Sequence, residues 1–281
     1  MGGRQSARPS VRPSVGPSVR PPARPPAMVP SELRLLEVLS YWLLGLSLLL
    51  LSVRRRRWAA YGRYALGRGP RLPARLAWAL QELPSVLLPA GLAAANAHRR
   101  LRHGPNRLLL SMFLLHYLHR SLVFPFLIRG GKPTPIYTFV MAFIFCSING
   151  YIQGQFLTKY AVYSTSWISN PRFIIGFLMW LIGMLINIHS DHILRNLRKP
   201  GETEYKIPRG GLFEYVSGAN FFGEIVEWCG YALASWSIES AAFAFFSACF
   251  LTRRAQHHHR WYLEKFEDYP TFRKALIPFV F

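Results

Sequence analysis

Uninterrupted apolar blocks dominate this chain, and most approach the roughly 20 residues that an α-helix needs to cross a membrane. The blocks cover residues 33–53, 77–95, 108–128, 136–157, 173–190, 219–235 and 241–251 with its flanks. A half-buried soluble sheet would instead alternate apolar and polar residues at short range. The pattern therefore predicts an all-α polytopic membrane protein, with about seven transmembrane helices in a domain over residues 31–281.

Basic residues lie mostly in the loops between the apolar blocks, as orientation signals of membrane proteins do. The basic run 54–57 directly follows the first block. Placing that loop in the cytosol predicts a lumenal N-terminus and, after seven crossings, a cytosolic C-terminus. The same distribution accounts for the net charge of +21 without nucleic acid. Membrane lipids are the expected surroundings, and no obligate protein partner is indicated.

The first 30 residues differ from the rest of the chain. They are rich in Arg, Pro and Ser, with repeated Arg-Pro-Ser-Val units, and they lack the apolar core of a signal peptide. Segments of this composition are predicted to be disordered. Their positive charge disagrees with a lumenal N-terminus. Met28 offers an alternative start, which would remove that disagreement.

Cysteine and histidine residues do not form a metal or disulfide framework in the sequence. Cys146, Cys229 and Cys249 lie inside apolar blocks and are predicted to be small buried hydrophobic residues. The run 257–259 consists of three histidines, but neighbouring helical residues point about 100° apart and chelate one ion poorly. We therefore expect no metal. The chain also lacks a P-loop and a Gly-x-Gly-x-x-Gly motif.

Polar residues interrupt the second and third blocks, and such residues in membrane helices usually have a function. Glu82 is expected to stay protonated there and to donate a hydrogen bond to a ligand oxygen. The alternative is an interfacial helix end or a kink at Pro84. Tyr117 taken alone is more often a packing residue, but it shares a helical face with Arg120. Together with Glu82, these residues indicate an internal polar pocket.

A second polar group begins where the fifth block ends. Asn187, Asp191, Arg195 and Arg198 fall within about 80° of one helical face. Further polar and aromatic residues follow at Tyr205, Asn220, Glu224, Arg254, His258 and Tyr262. Arginines suit phosphates, carboxylates suit ribose or amide donors, and aromatic rings suit stacking, which is the assortment that a dinucleotide requires. The alternative is that the basic residues bind anionic lipid headgroups.

Several ordered motifs resemble one known family, that of the steroid 5α-reductases (3-oxo-5α-steroid 4-dehydrogenases). The motifs are QELPS (81–85), HYLHR (116–120), NIHSD (187–191), LRKPG (197–201), GGLF (210–213), ANFFGE (219–224) and YPTFRKALIP (269–278). The resemblance extends from about residue 61 to residue 281. Segments 129–133 and 227–236 are most similar to the type 1 isozyme.

The resemblance implies a multi-pass endoplasmic reticulum enzyme that uses NADPH from the cytosolic side. It would reduce the C4–C5 double bond of 3-oxo-Δ4-steroids, such as testosterone and progesterone, by hydride transfer to C5 and protonation at C4. Glu82 and Tyr117 would be catalytic, with Gln81 and Arg120 also at the steroid, which would enter from the bilayer. The implied cofactor residues are Asn187, Asp191, Arg195, Arg198, Tyr205, Asn220, Glu224, Arg254, His258 and Tyr262.

Two positions depart from the type 2 pattern, and two other functions remain open. Phe124 and Lys206 stand where the type 2 isozyme has Tyr and Arg, so this chain lacks the phenol hydroxyl and the bidentate guanidinium at those two positions. A membrane methyltransferase of the isoprenylcysteine type has broadly similar helices and a similar cofactor cavity. However, S-adenosylmethionine has no phosphate for Arg195, Arg198 and Arg254. The third hypothesis is a non-catalytic sterol-binding protein.

Overall fold

The computed structural model of this protein describes residues 30–52, 69–96, 100–199, 201–202 and 204–281. The predicted disordered extension, apart from Pro30, and the basic run 54–57 lie outside these described residues. Residues Ser31–Phe281 form one structural unit. The account below concerns that unit.

The described residues are mainly helical, which confirms the all-α prediction. The α-helices are α1 (Ser31–Ser52), α2 (Ala74–Glu82), α3 (Pro84–Ala95), α4 (Gly104–Leu118), α5 (Phe124–Leu127), α6 (Ile136–Gln155), α7 (Pro171–Asn196), α8 (Ala219–Ser235) and α9 (Ile238–Lys265). Two π-helical segments, His119–Val123 and Phe156–Tyr160, continue α4 and α6, and two 3₁₀ segments cover Thr165–Ser169 and Gly211–Glu214. The strands β1 (Arg71–Leu72) and β2 (Thr134–Pro135) pair antiparallel.

Five helical segments in the described part of the chain are long and apolar enough to cross a membrane. They are Ser31–Ser52, Ala74–Ala95, Gly104–Leu127, Ile136–Tyr160 and Pro171–Asn196, and they match the first five predicted blocks. The 17-residue α8 and the longer α9 are not among them. Helix α8 is short, and α9 becomes polar after Leu251. The sixth and seventh crossings therefore stay a prediction.

Every second loop between the helices lies at the same end of the bundle. At one end, Arg71 pairs with Pro135, and Nη2 of Arg75 donates to the carbonyl of Ile128 at 2.7 Å. At the other end, the loop between α3 and α4 contacts the π-helical segment after α6, because the Arg100 amide donates to the carbonyl of Thr158 at 3.3 Å. These contacts fit helices that cross in alternating directions.

Helices α7 and α8 pack closely because glycine residues meet along their interface. A Cβ added at Gly183 would lie 2.3 Å from the amide nitrogen of Glu227, and one at Gly223 would lie 2.6 Å from that of Asn187. The same clash recurs toward the other end, where a Cβ at Gly230 would lie 2.4 Å from a backbone nitrogen of α7. This packing sets the position of α8 beside α7 along most of its length.

Large apolar side chains cover the outer surface of the bundle. On α7, for example, Leu178, Ile182 and Leu185 are 50%, 53% and 58% exposed. Such a surface suits lipid rather than water.

The prediction of three buried cysteines is wrong for one of them: Cys146 and Cys249 are buried, but Cys229 is exposed. Cys229 follows the buried Trp228 on α8 and points to the outer face of that helix.

Candidate active site

Glu82 lies where the second membrane segment breaks. Helix α2 ends at Glu82, and Pro84 begins α3, so the predicted break at this proline is confirmed. Proline has no amide hydrogen to continue the helical ladder. The Glu82 side chain is only 12% exposed, and its Oε2 lies 3.7 Å from Nε of Arg120. The helix interruption is thus accompanied by a contact between buried polar side chains, and the polar pocket stays a prediction. Gln81 precedes Glu82 on α2 and is half-buried.

Tyr117 of α4 is 5% exposed and lies within an aromatic cluster. Its ring centroid is 4.8 Å from that of Phe113. It is also 5.8 Å from the ring centroid of Trp228, in a stacked arrangement. These contacts limit the orientations available to the phenol, since packing locks the rotamers of neighbouring rings. The surroundings of Tyr117 are therefore dry and fixed, as a hydrogen-bond donor in an active site requires.

Arg120 connects the two groups of residues that the sequence places far apart. It follows α4 in the π-helical segment and is 8% exposed. Its Nη1 donates to Oδ2 of Asp191 at 2.9 Å, while Nε faces Glu82. Its guanidinium carbon lies 4.7 Å from the ring of Trp78 and 4.4 Å from that of Phe124. Phe124 thus contacts Arg120 through its ring face.

The charges around Arg120 favour one arrangement of protons. One guanidinium lies between two carboxyl groups, and burying a net charge is costly. Asp191 has the shorter contact to Arg120, and Nδ2 of Asn220 also donates to its Oδ1 at 3.2 Å. Glu82 lies beyond hydrogen-bond distance of the guanidinium. For these three groups alone, the neutral arrangement has Asp191 ionised and Glu82 protonated.

A series of hydrogen bonds connects α7 and α8 next to Arg120. Besides the bond between Asn220 and Asp191, Nδ2 of Asn187 donates to the backbone carbonyl of Asn220 at 3.0 Å. Asn187 and Asp191 are 3% and 5% exposed. The structure thus brings Asn187, Asp191 and Asn220 together with Arg120 and Glu82. Glu224 lies one helical turn after Asn220 and is half-buried.

Aromatic and basic side chains form a second group near the end of α7. The guanidinium of Arg198 lies 4.6 Å from the ring centroid of Tyr205. Tyr205 meets Trp261 edge-on at 4.9 Å, and Trp261 lies 5.3 Å from the ring of Tyr262. Arg195 has a different neighbour, since its Nη2 lies 2.9 Å from Nδ1 of His192. Arg198, Tyr205 and Tyr262 therefore belong to one group of contacting side chains, whereas Arg195 contacts His192 instead.

Helix α9 faces this region from the other side. Arg254 is 5% exposed and Tyr262 is 2% exposed. The ring of His258 meets that of Phe221 on α8 edge-on, at 5.3 Å. The described residues contain no group of three His, Cys, Asp or Glu side chains that could hold a metal ion.

The loop between α7 and α8 is fixed by the C-terminal segment. Glu214 accepts a hydrogen bond from the amide of Gly210 at 2.5 Å, and Nη2 of Arg273 lies 3.2 Å from its Oε2. These donors hold the pKa of Glu214 below its usual range, the Gly210 amide having the larger effect. Arg273 is 1% exposed and also donates to the carbonyl of Pro208 at 2.9 Å. Beside it, the hydroxyl of Ser217 contacts the hydroxyl of Tyr269 at 2.6 Å.

The polar residues on α7 and α8 fit an extended dinucleotide. From Asn187 to the end of α7 at Asn196 the helix rises about 14 Å, and Arg198 follows two residues later. Over that distance the face changes from buried amide and carboxylate groups to an exposed guanidinium stacked on an aromatic ring. Arginine at the rim matches phosphates, and amide and carboxylate groups at depth match a carboxamide and hydroxyls. The chemistry of this set is therefore suitable for a nicotinamide dinucleotide.

One buried pair was not part of the predicted site. Nδ1 of His116 lies 2.8 Å from Oε1 of Glu227, and the two side chains are 4% and 0% exposed. His116 directly precedes Tyr117 in the sequence, and Glu227 lies three residues after Glu224 on α8. Their pairing spans more than a hundred positions of sequence. The sequence of a single protein carries no signal for a contact between residues so far apart.

Comparison with known proteins decides the family. A family model described as 3-oxo-5-alpha-steroid 4-dehydrogenase matches residues 132–281. The 3-oxo-5-alpha-steroid 4-dehydrogenase 1 of Macaca fascicularis is 60% identical over 89% of this chain and 96% of its own length. The human protein of the same name is 59% identical, over 89% of this chain and 97% of its own.

The chain belongs to the 3-oxo-5-alpha-steroid 4-dehydrogenase family. It is therefore an oxidoreductase enzyme, and its reaction class implies a nicotinamide cofactor. The methyltransferase and non-catalytic hypotheses are set aside by this membership. The type 2 relative of Sus scrofa is 55% identical over 79% of this chain and 88% of its own length. The greater similarity to the type 1 relatives confirms the predicted resemblance to that isozyme.

Proposed function

We propose that this chain reduces the C4–C5 double bond of 3-oxo-Δ4-steroids to 5α-dihydrosteroids with NADPH. The observation that carries the proposal is the position of Arg120 between Glu82 and Asp191. It brings the expected carbonyl-binding residues next to the expected cofactor residues, as direct hydride transfer between two ligands requires. The relatives' name, 3-oxo-5-alpha-steroid 4-dehydrogenase, supports the same reaction.

Glu82 and Tyr117 act on the 3-oxygen of the steroid. When bound, the reduced nicotinamide supplies a hydride. As the C5–H bond forms, negative charge develops on the 3-oxygen. Hydrogen bonds from a protonated Glu82 and from the Tyr117 hydroxyl stabilise that charge most strongly in a dry site. Gln81 lies beside Glu82 and helps to bind the steroid.

Arg120, Asp191 and the amides of Asn187 and Asn220 orient the nicotinamide end of the cofactor. Arg120 keeps Asp191 ionised, and Asn220 fixes its carboxylate by a second hydrogen bond. At the rim, Arg198 and Tyr205 hold the phosphate-bearing half, with His258, Arg254, Tyr262, Arg195 and Glu224 completing the cavity. Preference for NADPH over NADH would come from the basic rim, where a 2′-phosphate gains charge-assisted hydrogen bonds.

The proposed setting is a seven-helix protein of the endoplasmic reticulum membrane, with a lumenal N-terminus and the cofactor site facing the cytosol. Helix α8 is about 26 Å long, close to the roughly 30 Å of a bilayer core, and it packs along α7 through glycines. The apolar first half of α9 supplies the seventh crossing. An apolar steroid would enter from the bilayer, and NADPH would enter from the cytosol.

Product analysis tests the proposed function. Membranes that contain the full chain are incubated with testosterone and either NADPH or NADH, and the steroid is analysed by mass spectrometry. The proposal expects a gain of two hydrogens with NADPH and far less product with NADH. An unchanged steroid with both cofactors, in membranes that contain the folded protein, would contradict it.

A further inference from the structure

The buried pair of His116 and Glu227 has two polar atoms left over. The bond between Nδ1 of His116 and Oε1 of Glu227 connects α4 to α8. The other carboxyl oxygen, Oε2 of Glu227, is buried and has no hydrogen-bond partner. Among the described residues, His116 makes its one side-chain hydrogen bond through Nδ1, and its Nε2 is not one of the fully buried atoms without a partner. Nε2 is therefore the atom of the pair that remains available to a ligand.

An unpaired buried oxygen lowers stability, so its presence calls for an explanation. A buried carboxylate beside a neutral imidazole would also leave a net charge out of water. One additional proton shared by His116 and Glu227 keeps the pair neutral. In that state Oε1–H of Glu227 donates to Nδ1, and the imidazole carries its own hydrogen on Nε2. The pair then holds a proton that Nε2 can donate.

The imidazole lies beside the proposed steroid carbonyl site. Its ring centroid is 5.0 Å from that of Tyr117 and 4.4 Å from that of Trp228. Tyr117 is itself stacked on Trp228. In a 3-oxo-Δ4-steroid, C4 is bonded to the carbonyl carbon whose oxygen Tyr117 would hold. With the carbonyl oxygen held by Tyr117, the imidazole would therefore lie near the atom that must receive a proton.

We propose that His116 donates the proton to C4 of the steroid and that Glu227 replaces this proton on the imidazole. The proposal rests on the proposed reductase function. After hydride arrival forms the C5–H bond, the electron pair of the resulting enolate forms a C4–H bond with the hydrogen of Nε2. The electrons of the broken N–H bond stay on the imidazole. Nδ1 takes the proton of Glu227, which becomes a carboxylate, and a proton from water later restores the pair.

The stereochemistry of protonation at C4 tests this role. The full-length enzyme and its His116→Gln and Glu227→Gln variants convert testosterone with NADPH in deuterated water, and NMR locates the deuterium at C4. The wild-type enzyme is expected to place deuterium on one face. In both variants turnover should fall by about 100-fold or more, since general acids contribute about that much. The KM for NADPH should stay near the wild-type value.

In His116→Gln water replaces the missing donor, so deuterium should appear on both faces of C4 in the slowly formed product. Glu227→Gln keeps the imidazole donor and loses only the group that replaces its proton, so its slowly formed product should still carry deuterium on one face. His119→Gln serves as the matched control, because His119 lies on the same segment and is only half-buried. It should keep wild-type turnover and single-face labelling.

Two results would overturn the proposal. Single-face labelling in His116→Gln would show that another group protonates C4. The absence of any product would show that the pair is required before hydride transfer, as a structural element would be. If the wild-type enzyme itself formed no dihydro product, the proposed function would fail instead, so the two failures are distinguishable.

Discussion

Nη1 of Arg120 lies 2.9 Å from Oδ2 of Asp191, and this contact joins the end of α4 to α7 in a nearly dry interior. The sequence places Arg120 with the steroid residues and Asp191 with the cofactor residues. Their contact means that the two proposed sites would share a charged group. A change in either site is therefore expected to affect the other.

Removal of the Arg120 charge should weaken both folding and cofactor binding. Arg120→Gln leaves Asp191 as a buried carboxylate without its cation, which costs about 3–5 kcal/mol in comparable pairs. We expect a lower melting temperature and a higher KM for NADPH. In the double variant Arg120→Gln/Asp191→Asn, part of the lost stability should return because the unpaired charge is gone. Equal melting temperatures for the single and double variants would contradict the charge account.

Replacement of the carbonyl donors should slow turnover without unfolding the protein. Glu82→Gln and Tyr117→Phe each remove or alter one proposed hydrogen bond to the 3-oxygen, and loss of one such donor typically costs about 10²–10³ in kcat. The melting temperature with NADPH should stay near that of the wild type. Steady-state kinetics and thermal melts of the purified variants check both statements. Wild-type kcat in both variants would eliminate this carbonyl site.

Close packing of α7 and α8 predicts a sharp effect of one methyl group. In Gly183→Ala the new Cβ would lie 2.3 Å from the backbone nitrogen of Glu227, so the helices must separate. We expect a loss of about 1–3 kcal/mol or more, as overpacking of interiors gives, and a higher KM for NADPH.

The control for Gly183→Ala is Gly45→Ala on α1, where an added Cβ meets no atom within 4 Å. That variant should be neutral or slightly more stable, because alanine favours helices over glycine by about 1 kcal/mol. A comparable loss of stability in both variants would refute the packing account.

The loop before α8 should lose order in acid. The folded-state pKa of Glu214 is lowered by the Gly210 amide and then by Arg273. Its stabilising effect is therefore complete above the unfolded pKa of about 4.3, and it is lost as the pH falls through the lower folded value. Hydrogen-exchange protection of Gly211–Glu214 should thus be lower at about pH 3.5 than at neutral pH.

Two variants check that Glu214 causes this change. Glu214→Gln should show the reduced protection already at neutral pH, because a neutral amide binds Arg273 less strongly. Glu264→Gln, at an exposed position of α9, should behave like the wild type. Full protection of the loop in Glu214→Gln at neutral pH would show that another interaction fixes it.

The sequence predicts elements and residue types here better than it predicts contacts between them. Block length and apolarity correctly locate the first five segments, because these properties are local. The bond between His116 and Glu227 and the position of Arg120 between two carboxyl groups depend on how distant helices pack. The exposed Cys229 was mispredicted for the same reason, since an apolar block does not reveal which of its faces meets lipid.

Helix α8 shows another limit of sequence patterns. It has only 17 residues, and Glu224 and Glu227 lower its apolarity, yet Glu227 pairs with His116 in the interior. Hydropathy does not distinguish such an interior carboxyl group from one that faces lipid. The glycines at positions 176, 183, 223 and 230 repeat every seven residues in each helix, and this spacing was a readable signal for close packing.

Hydride transfer to C5 is the central claim, and isotope transfer measures it most directly. The enzyme is incubated with testosterone and NADPH that carries deuterium at the transferred position of its nicotinamide. The account predicts a 5α-dihydro product with one deuterium at C5, formed by the wild-type enzyme and almost absent with Glu82→Gln. A reduced product without that deuterium, or with deuterium at C4 instead, would contradict it.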